Sequence, residues 1–440
     1  PTTSANVNLL LNTNNPNFDG QIVINDVVVN ATATGALGST TGNTVVNSGG
    51  TLRVFGNVTL DDDISISGNG NGGGEADGSI FNNANTNNLD GQVTTTGNTR
   101  VRIDSGRLRF RGGFAANNNV TFDLDGGGER LEFNAPLTGN GNLTFEGDGT
   151  TEFRGGSGGS TFSGNINLTN GIIDLNEDNQ LGTGGGTLNI DGDATLRLRS
   201  SRTHSKNITL NGTANSGNGQ NEGRIRNDDG NNTLSGTIGW NTNSRVDVDS
   251  GTTLNLTGAI SGGGDINKVD TGRLNINNAA NSFTDNVTTG AGTVGFENPG
   301  STGSANAINV APGTTLEVNN AGTVTSSVAI SGDGQGGVGA INSVGGNTTF
   351  SGPVHITGTT ISNSGGPTSE MTFSGQITLG SSTDVTFDGS GNTTVTQGFG
   401  NGNSPLPGNG LVAERYNTGT NQLNLSSQGS GNLTVNGDGK

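Results

Sequence analysis

The chain has no cysteine among its 440 residues, so no disulfide holds it together in any compartment. It has one Trp and one Tyr, and only 28% of it is hydrophobic. That is too little bulky apolar material for a β-sandwich, whose core rests on large side chains shared between two sheets. Charge is sparse at 13%, and only three of the 19 basic residues are lysines: Lys206, Lys268 and Lys440. The balance is acidic, with a formal net charge of −18. Such a chain repels a phosphate backbone, so no nucleic acid is expected as a partner. Long hydrophobic runs are missing as well. None approaches the roughly 18 apolar residues of a membrane-spanning helix, so no transmembrane segment is expected. There are only nine prolines and no three-residue glycine period, which excludes a collagen helix.

Glycine is what the chain has in excess, 81 residues of 440, where average usage is roughly 7%. Asn, Thr and Ser fill much of the rest. A chain of this kind is either disordered or wraps one thin core many times. Internal repetition decides for the second. The segment ISGNGNGGGEADGSIFNN (66–83) returns as LNGTANSGNGQNEGRIRN (210–227) and as ISGDGQGGVGAINS (330–343). The strand start GTLRV (50–54) returns as ATLRL (194–198) and TTLEV (314–318). NFDG (17–20) matches TFSG (161–164) and SFTD (282–285). Ile66, Leu210 and Ile330 are spaced by 144 and 120 residues, as are Leu52, Leu196 and Leu316. The cassettes run approximately over 1–136, 137–260 and 261–427, with 428–440 opening a fourth; GNLTVNGDG at 431–439 repeats seven of the nine residues of GNLTFEGDG at 141–149.

Within each cassette, short runs alternate in polarity. In RVRID, Val101 and Ile103 take one face and Arg100, Arg102 and Asp104 the other. In RVDVD, Val246 and Val248 oppose Asp247 and Asp249. Period two marks strands with one buried face, and Gly, Asn and Asp clusters between them supply turns. The expected fold is all-β: a rod-like, right-handed parallel β-helix (β-solenoid), continuous over 1–440. At roughly 20–25 residues per rung it would make about 18–22 rungs and, with strands about 4.8 Å apart, extend about 90–100 Å. The segment 398–421, which holds Tyr416, reads as an inserted loop. Both ends break off within the repeat, which gives the expectation that 1–440 is an interior stretch of a longer chain or abuts further copies.

The series GNLTFEGDGTTEF (141–153), TFSGNINLTNGIIDL (161–175), NQLGTGGGTLNI (179–190), ATLRL (194–198), NNTLSGTI (231–238) and TTLNLTGAISGGGDINKVDTG (252–272) resembles the autotransporter-associated β-strand repeat. That family forms secreted passenger regions of Gram-negative surface proteins. The resemblance extends over nearly the whole chain. It implies a β-helix at, or released from, the outer-membrane surface, and it carries over no catalytic residue.

Residues with chemical potential read mostly as surface. Asp61, Asp62 and Asp63, Asp123 and Asp125, and Asp247 and Asp249 fall on outward strand positions or in turns. His204 and His355 read as ordinary surface residues, and Trp240 and Tyr416 are too few for a sugar-stacking platform. DLDGGGERLEF (123–133) places Asp123, Asp125 and Glu129 near one another but lacks calcium-loop spacing, so neither a metal nor any other cofactor is expected. The arginines are more pointed. Arg100 and Arg102, then Arg107, Arg109 and Arg111, then Arg197 and Arg199, and Arg224 and Arg226 each alternate along a strand. Stacking would pair them with Asp and Glu of adjacent rungs. A local basic strip able to dock an acidic surface of a neighbouring chain is the functional alternative. The expected function is a non-catalytic extracellular structural or adhesive protein, with further copies of itself or a surface glycan as partners. The alternative is a polysaccharide-active β-helix enzyme, a lyase or hydrolase.

Overall fold

A computed structural model describes residues 8–72, 78–212, 223–379, 385–396, 399–401, 412–417, 422–426 and 433–435. Nearly every element is a short strand, and the parallel strands stack as a β-solenoid of about 17 turns. Among the described residues the one helical element is a 3-10 turn at Gln335–Gly337. The turn count falls below the expected range because some turns are long. Leu131 meets Thr151 after 20 residues, but Ile64 meets Val93 only after 29. The surplus goes into Gly- and Asn-rich corners.

Two compact units divide the chain, Pro1–Ile225 and Arg226–Lys440. In the first, one column of strands includes Arg107–Phe110, Arg130–Phe133, Thr150–Phe153, Ile172–Leu175 and Thr195–Leu198, all parallel and in register. Phe110, Phe133 and Phe153 share one inward file. Phe133 stacks on Phe110 at 5.3 Å and on Phe153 at 4.9 Å. A facing column stacks Phe122 on Phe145 at 5.0 Å. Identical side chains at equivalent rung positions thus build a continuous core from few residue types. Phe162 and Phe283 are buried as the repeat suggests, whereas Phe18, their counterpart in the first cassette, is exposed.

In the second unit the strands Thr253–Leu256, Arg273–Ile276, Thr293–Phe296 and Thr315–Asn319 form one parallel column. Antiparallel pairing enters late: Asn392–Val395 meets Val412–Asn417, which meets Gln422–Ser426. Val385–Asp388 then pairs in parallel with Leu433–Val435. Most of the segment 398–421 and of the fourth cassette opening, 428–440, lies outside the described residues.

The cassette landmarks correspond to one recurring device. Leu52, Leu196 and Leu316 each donate a backbone N–H to the residue that closes the long corner of the following turn: Ser79, Arg224 and Ala340. The preceding threonine, Thr195 or Thr315, donates its hydroxyl to a corner carbonyl, at Gly223 (3.2 Å) or Gly339 (3.0 Å). All three threonines, Thr51 included, are fully buried. Strict alternation would put Thr195 outside with Arg197. The structure corrects this: the chain enters the strand from a buried corner, and the hydroxyl satisfies a carbonyl that the corner leaves without a ladder partner. Asparagines work the same way along another edge. The side-chain carbonyls of Asn98, Asn119, Asn142 and Asn165 each accept the backbone N–H of the next turn, at Asn119, Asn142, Asn165 and Thr187. Glycine is required where turns touch most closely. Gly139 has φ of +98°, and a Cβ there would lie 2.3 Å from the Ala116 carbonyl oxygen.

Candidate functional site

The arginines of Arg107–Phe110 and its neighbours point away from the core because Leu108 and Phe110 occupy the inward phase. Three successive turns bring Arg107, Arg109, Arg111, Arg130 and Arg154 to one outer face. Two glutamates lie beneath them. Glu132 is ion-paired with Arg107 (2.9 Å) and accepts from Arg109 (2.6 Å). Glu152 pairs with Arg130 and is held by Arg154 through Nε (3.0 Å) and Nη2 (2.6 Å). The side chains of Glu132 and Glu152 are 4% and 3% exposed, against 48% for Arg111 and 45% for Arg154. Each carboxylate is therefore covered by two guanidinium groups, which still present N–H donors to solvent. Burial works against ionisation of Glu152, but Arg154 and Arg130 outweigh it and hold its carboxyl below the usual range. Burial works against the charge of Arg154 as well, but Glu152 outweighs it and raises the pKa of Arg154 above its ordinary value. Arg107, Arg109, Arg111, Glu132, Asn134 and Arg154 line an open groove of about 360 Å³.

Cross-turn pairing, expected from the sequence, recurs elsewhere. Arg102 meets Asp125 at 2.5 Å, Arg226 meets Asp249 at 3.0 Å, and Arg273 meets Glu297 at 2.7 Å; Arg100 pairs with Asp123. Arg53 and Arg102 flank the ring of Phe81, at 5.3 and 5.8 Å, which explains how an outward-phase Phe becomes buried. Arg224 departs from the outward pattern. It is fully buried and donates to the Ile190 carbonyl.

A second cluster gathers Asp247, Asp249 and Asp270, with carboxylate oxygens within 4.8 Å of one another. Sequence reading placed the first two together but had no means to bring Asp270 in from the following turn. Burial, then the charge of Asp249, pushes Asp247 up to about 6, against the pull of Arg226 and Arg245. Between roughly pH 4 and 6 the folded chain thus keeps a proton that the unfolded chain releases, so this group costs stability as pH rises through that window. Asp247→Asn is expected to raise stability at pH 7 by about 1–2 kcal/mol, discounted for partial solvation. At pH 3.5 it should change little. Denaturant titrations at both values check this, and an equal change at the two would contradict it.

His204 departs from its surface reading, and Lys206 and Trp240 are also buried. His204 is 4% exposed, with burial lowering its pKa to about 4. Lys206, also buried, donates to the Gly164 carbonyl at 2.9 Å and lies over the Phe162 ring. Trp240 is a core residue whose indole N–H donates to the Asp265 carbonyl at 3.0 Å. The signal was present: His204, Lys206, Ile208 and Leu210 are spaced by two and share the inward face. Lys268 follows Ile266 in the same way, and its ammonium meets three carbonyls, of Val269, Asp270 and Ala291. Burial brings its pKa down to about 8. His355 is exposed as expected and touches the Thr378 hydroxyl at 3.0 Å. The side chain of Tyr416 lies outside the described residues. Among those residues, no helix is long and apolar enough to cross a membrane. Comparison with protein-family models, curated proteins and solved structures finds no match to this chain.

Proposed function

We infer that this chain is the body of an extracellular surface fibre, stalk or adhesin, without catalytic activity of its own, exposed at the outer-membrane surface of a Gram-negative bacterium. One observation carries the reading: outward carboxylates such as Glu132, Glu152 and Asp123 are each tied to arginines of the same or an adjacent turn. Side chains committed to neutralising one another along the stack stiffen a scaffold and are withdrawn from acid–base work. The repeats quoted from 141–272 support the passenger-like assignment. Association with further copies, end to end or side by side, and binding of a surface glycan are the partnerships that fit it.

A polysaccharide-active enzyme draws support from one feature, the pairing of Asp247, displaced upward, with Asp249 in its ion pair to Arg226. A carboxyl displaced upward beside an arginine-paired one suits general acid–base chemistry. Asp247 lies on a strand face and Asp249 just past its end, however, and Asp249 is engaged. A screen of the purified chain against neutral and acidic polysaccharides, read by new reducing ends and by absorbance of unsaturated products, separates the readings. No turnover is expected. Turnover abolished by Asp247→Asn would replace the structural reading with the enzymatic one.

A further inference from the structure

We propose that the groove over Glu132 and Glu152 binds a linear acidic polysaccharide, its carboxylates or sulfates received by Arg107, Arg111 and Arg154. This rests on the adhesive reading above and names its ligand class.

The chain carries −18 overall, yet the five arginines of this face are ion-paired with only three carboxylates, those of Asp90, Glu132 and Glu152. At physiological ionic strength, charges more than about 8 Å away are largely screened, so a local excess governs what docks there. Arg111, Asn134 and Arg154 directly follow Phe110, Phe133 and Phe153, which are in register. They therefore form one file along the stacking direction, with Arg111 and Arg154 two turns apart, about 10 Å. Arg107 and Arg130 are direct cross-turn partners in a second file. Two parallel files, with cations one turn apart at Arg107 and Arg130 and two turns apart at Arg111 and Arg154, suit a polymer that presents anions at regular intervals. A single small anion would use only one of them.

Chemistry narrows the choice further. A guanidinium fork matches a planar carboxylate or a sulfate edge, and Glu132, Glu152 and Asp90 hold Arg107, Arg154 and Arg111 in place before a ligand arrives, which lowers the ordering cost of binding. Among the described residues, the exposed large apolar side chains, Leu9, Leu10, Phe18, Val23 and Val338, are not among those that line the groove. That is poor equipment for entering a lipid surface, and the groove presents no aromatic for stacking nucleobases.

The test uses the whole chain. Calorimetric titration with polygalacturonate and with dextran sulfate is expected to show binding that weakens between about 50 and 200 mM salt, with neutral dextran silent. The variant R107Q/R111Q/R154Q removes three cations but leaves Arg109 on Glu132 and Arg130 on Glu152. It should keep the wild-type circular dichroism and lose affinity by about tenfold or more. A second variant, R53Q/R100Q/R102Q, removes equal charge from another face and should bind within about twofold of wild type. Equal loss in both variants would mean that affinity follows net charge alone and would overturn the groove. So would undiminished binding by the first variant, binding only to phosphatidylglycerol vesicles, or self-association in place of polymer binding. If the wild type binds neither polyanion and cleaves neither, this inference fails while the structural reading stands; cleavage of either polymer overturns the structural reading instead.

Discussion

Leu143→Asp is expected to unfold the turns around it, costing about 3–5 kcal/mol, while Thr144→Asp, one residue later, should cost less than about 1 kcal/mol. Leu143 is fully buried, in register with Val120 before it and Ile166 after it. A carboxylate there has neither water nor a cation within the narrow core. Thr144 points outward between Thr121 and Asn167, both neutral. The pair isolates strand phase because the two sites share the same backbone. Urea denaturation followed by circular dichroism reads the difference. In a stacked repeat the loss can stay local, so hydrogen exchange of Val120–Leu124 and Ile166–Leu168 is the more direct measure. Equal costs at the two positions would show that this strand does not present alternate faces to core and solvent.

Phe133→Ala is the second large effect, at about 3–5 kcal/mol. Its ring touches four others: Phe110, Phe114, Phe122 and Phe153, with centroids between 4.9 and 6.0 Å. The turns above and below are hydrogen-bonded through their own backbones and cannot close together to fill the void, so little of the lost contact is recovered. Phe133→Leu keeps most of the volume and should cost less than about 1.5 kcal/mol. Protection of Arg107–Phe110 and Thr150–Phe153 from hydrogen exchange should fall with the alanine variant and largely survive the leucine one. Both variants falling within about 0.5 kcal/mol of wild type would mean that the aromatic file adds nothing beyond strand pairing. The result also bears on the groove, because Phe133 lies between Glu132 and Asn134 and fixes the strand from which both project.

Strand phase and cassette spacing were legible in the sequence. Val101 and Ile103 face in and Arg100 and Arg102 face out, because side-chain direction in an extended chain alternates by backbone geometry alone, whatever lies on either side. The parallel solenoid followed from the same alternation, repeated with too little apolar material for any thicker core. His204, Lys206 and Lys268 were legible in phase but not in burial: a polar side chain can face inward when carbonyls replace water, as three do for the Lys268 ammonium. Which residues meet across turns was a different matter. Glu132 under Arg107 and Arg109, Asp270 beside Asp247, and Phe81 between two arginines all depend on how many residues each corner consumes, and that number varies from turn to turn. Alternation is a local property, written into every pair of neighbouring residues. Register is set by the closing of each turn onto the last, and only the folded stack decides it.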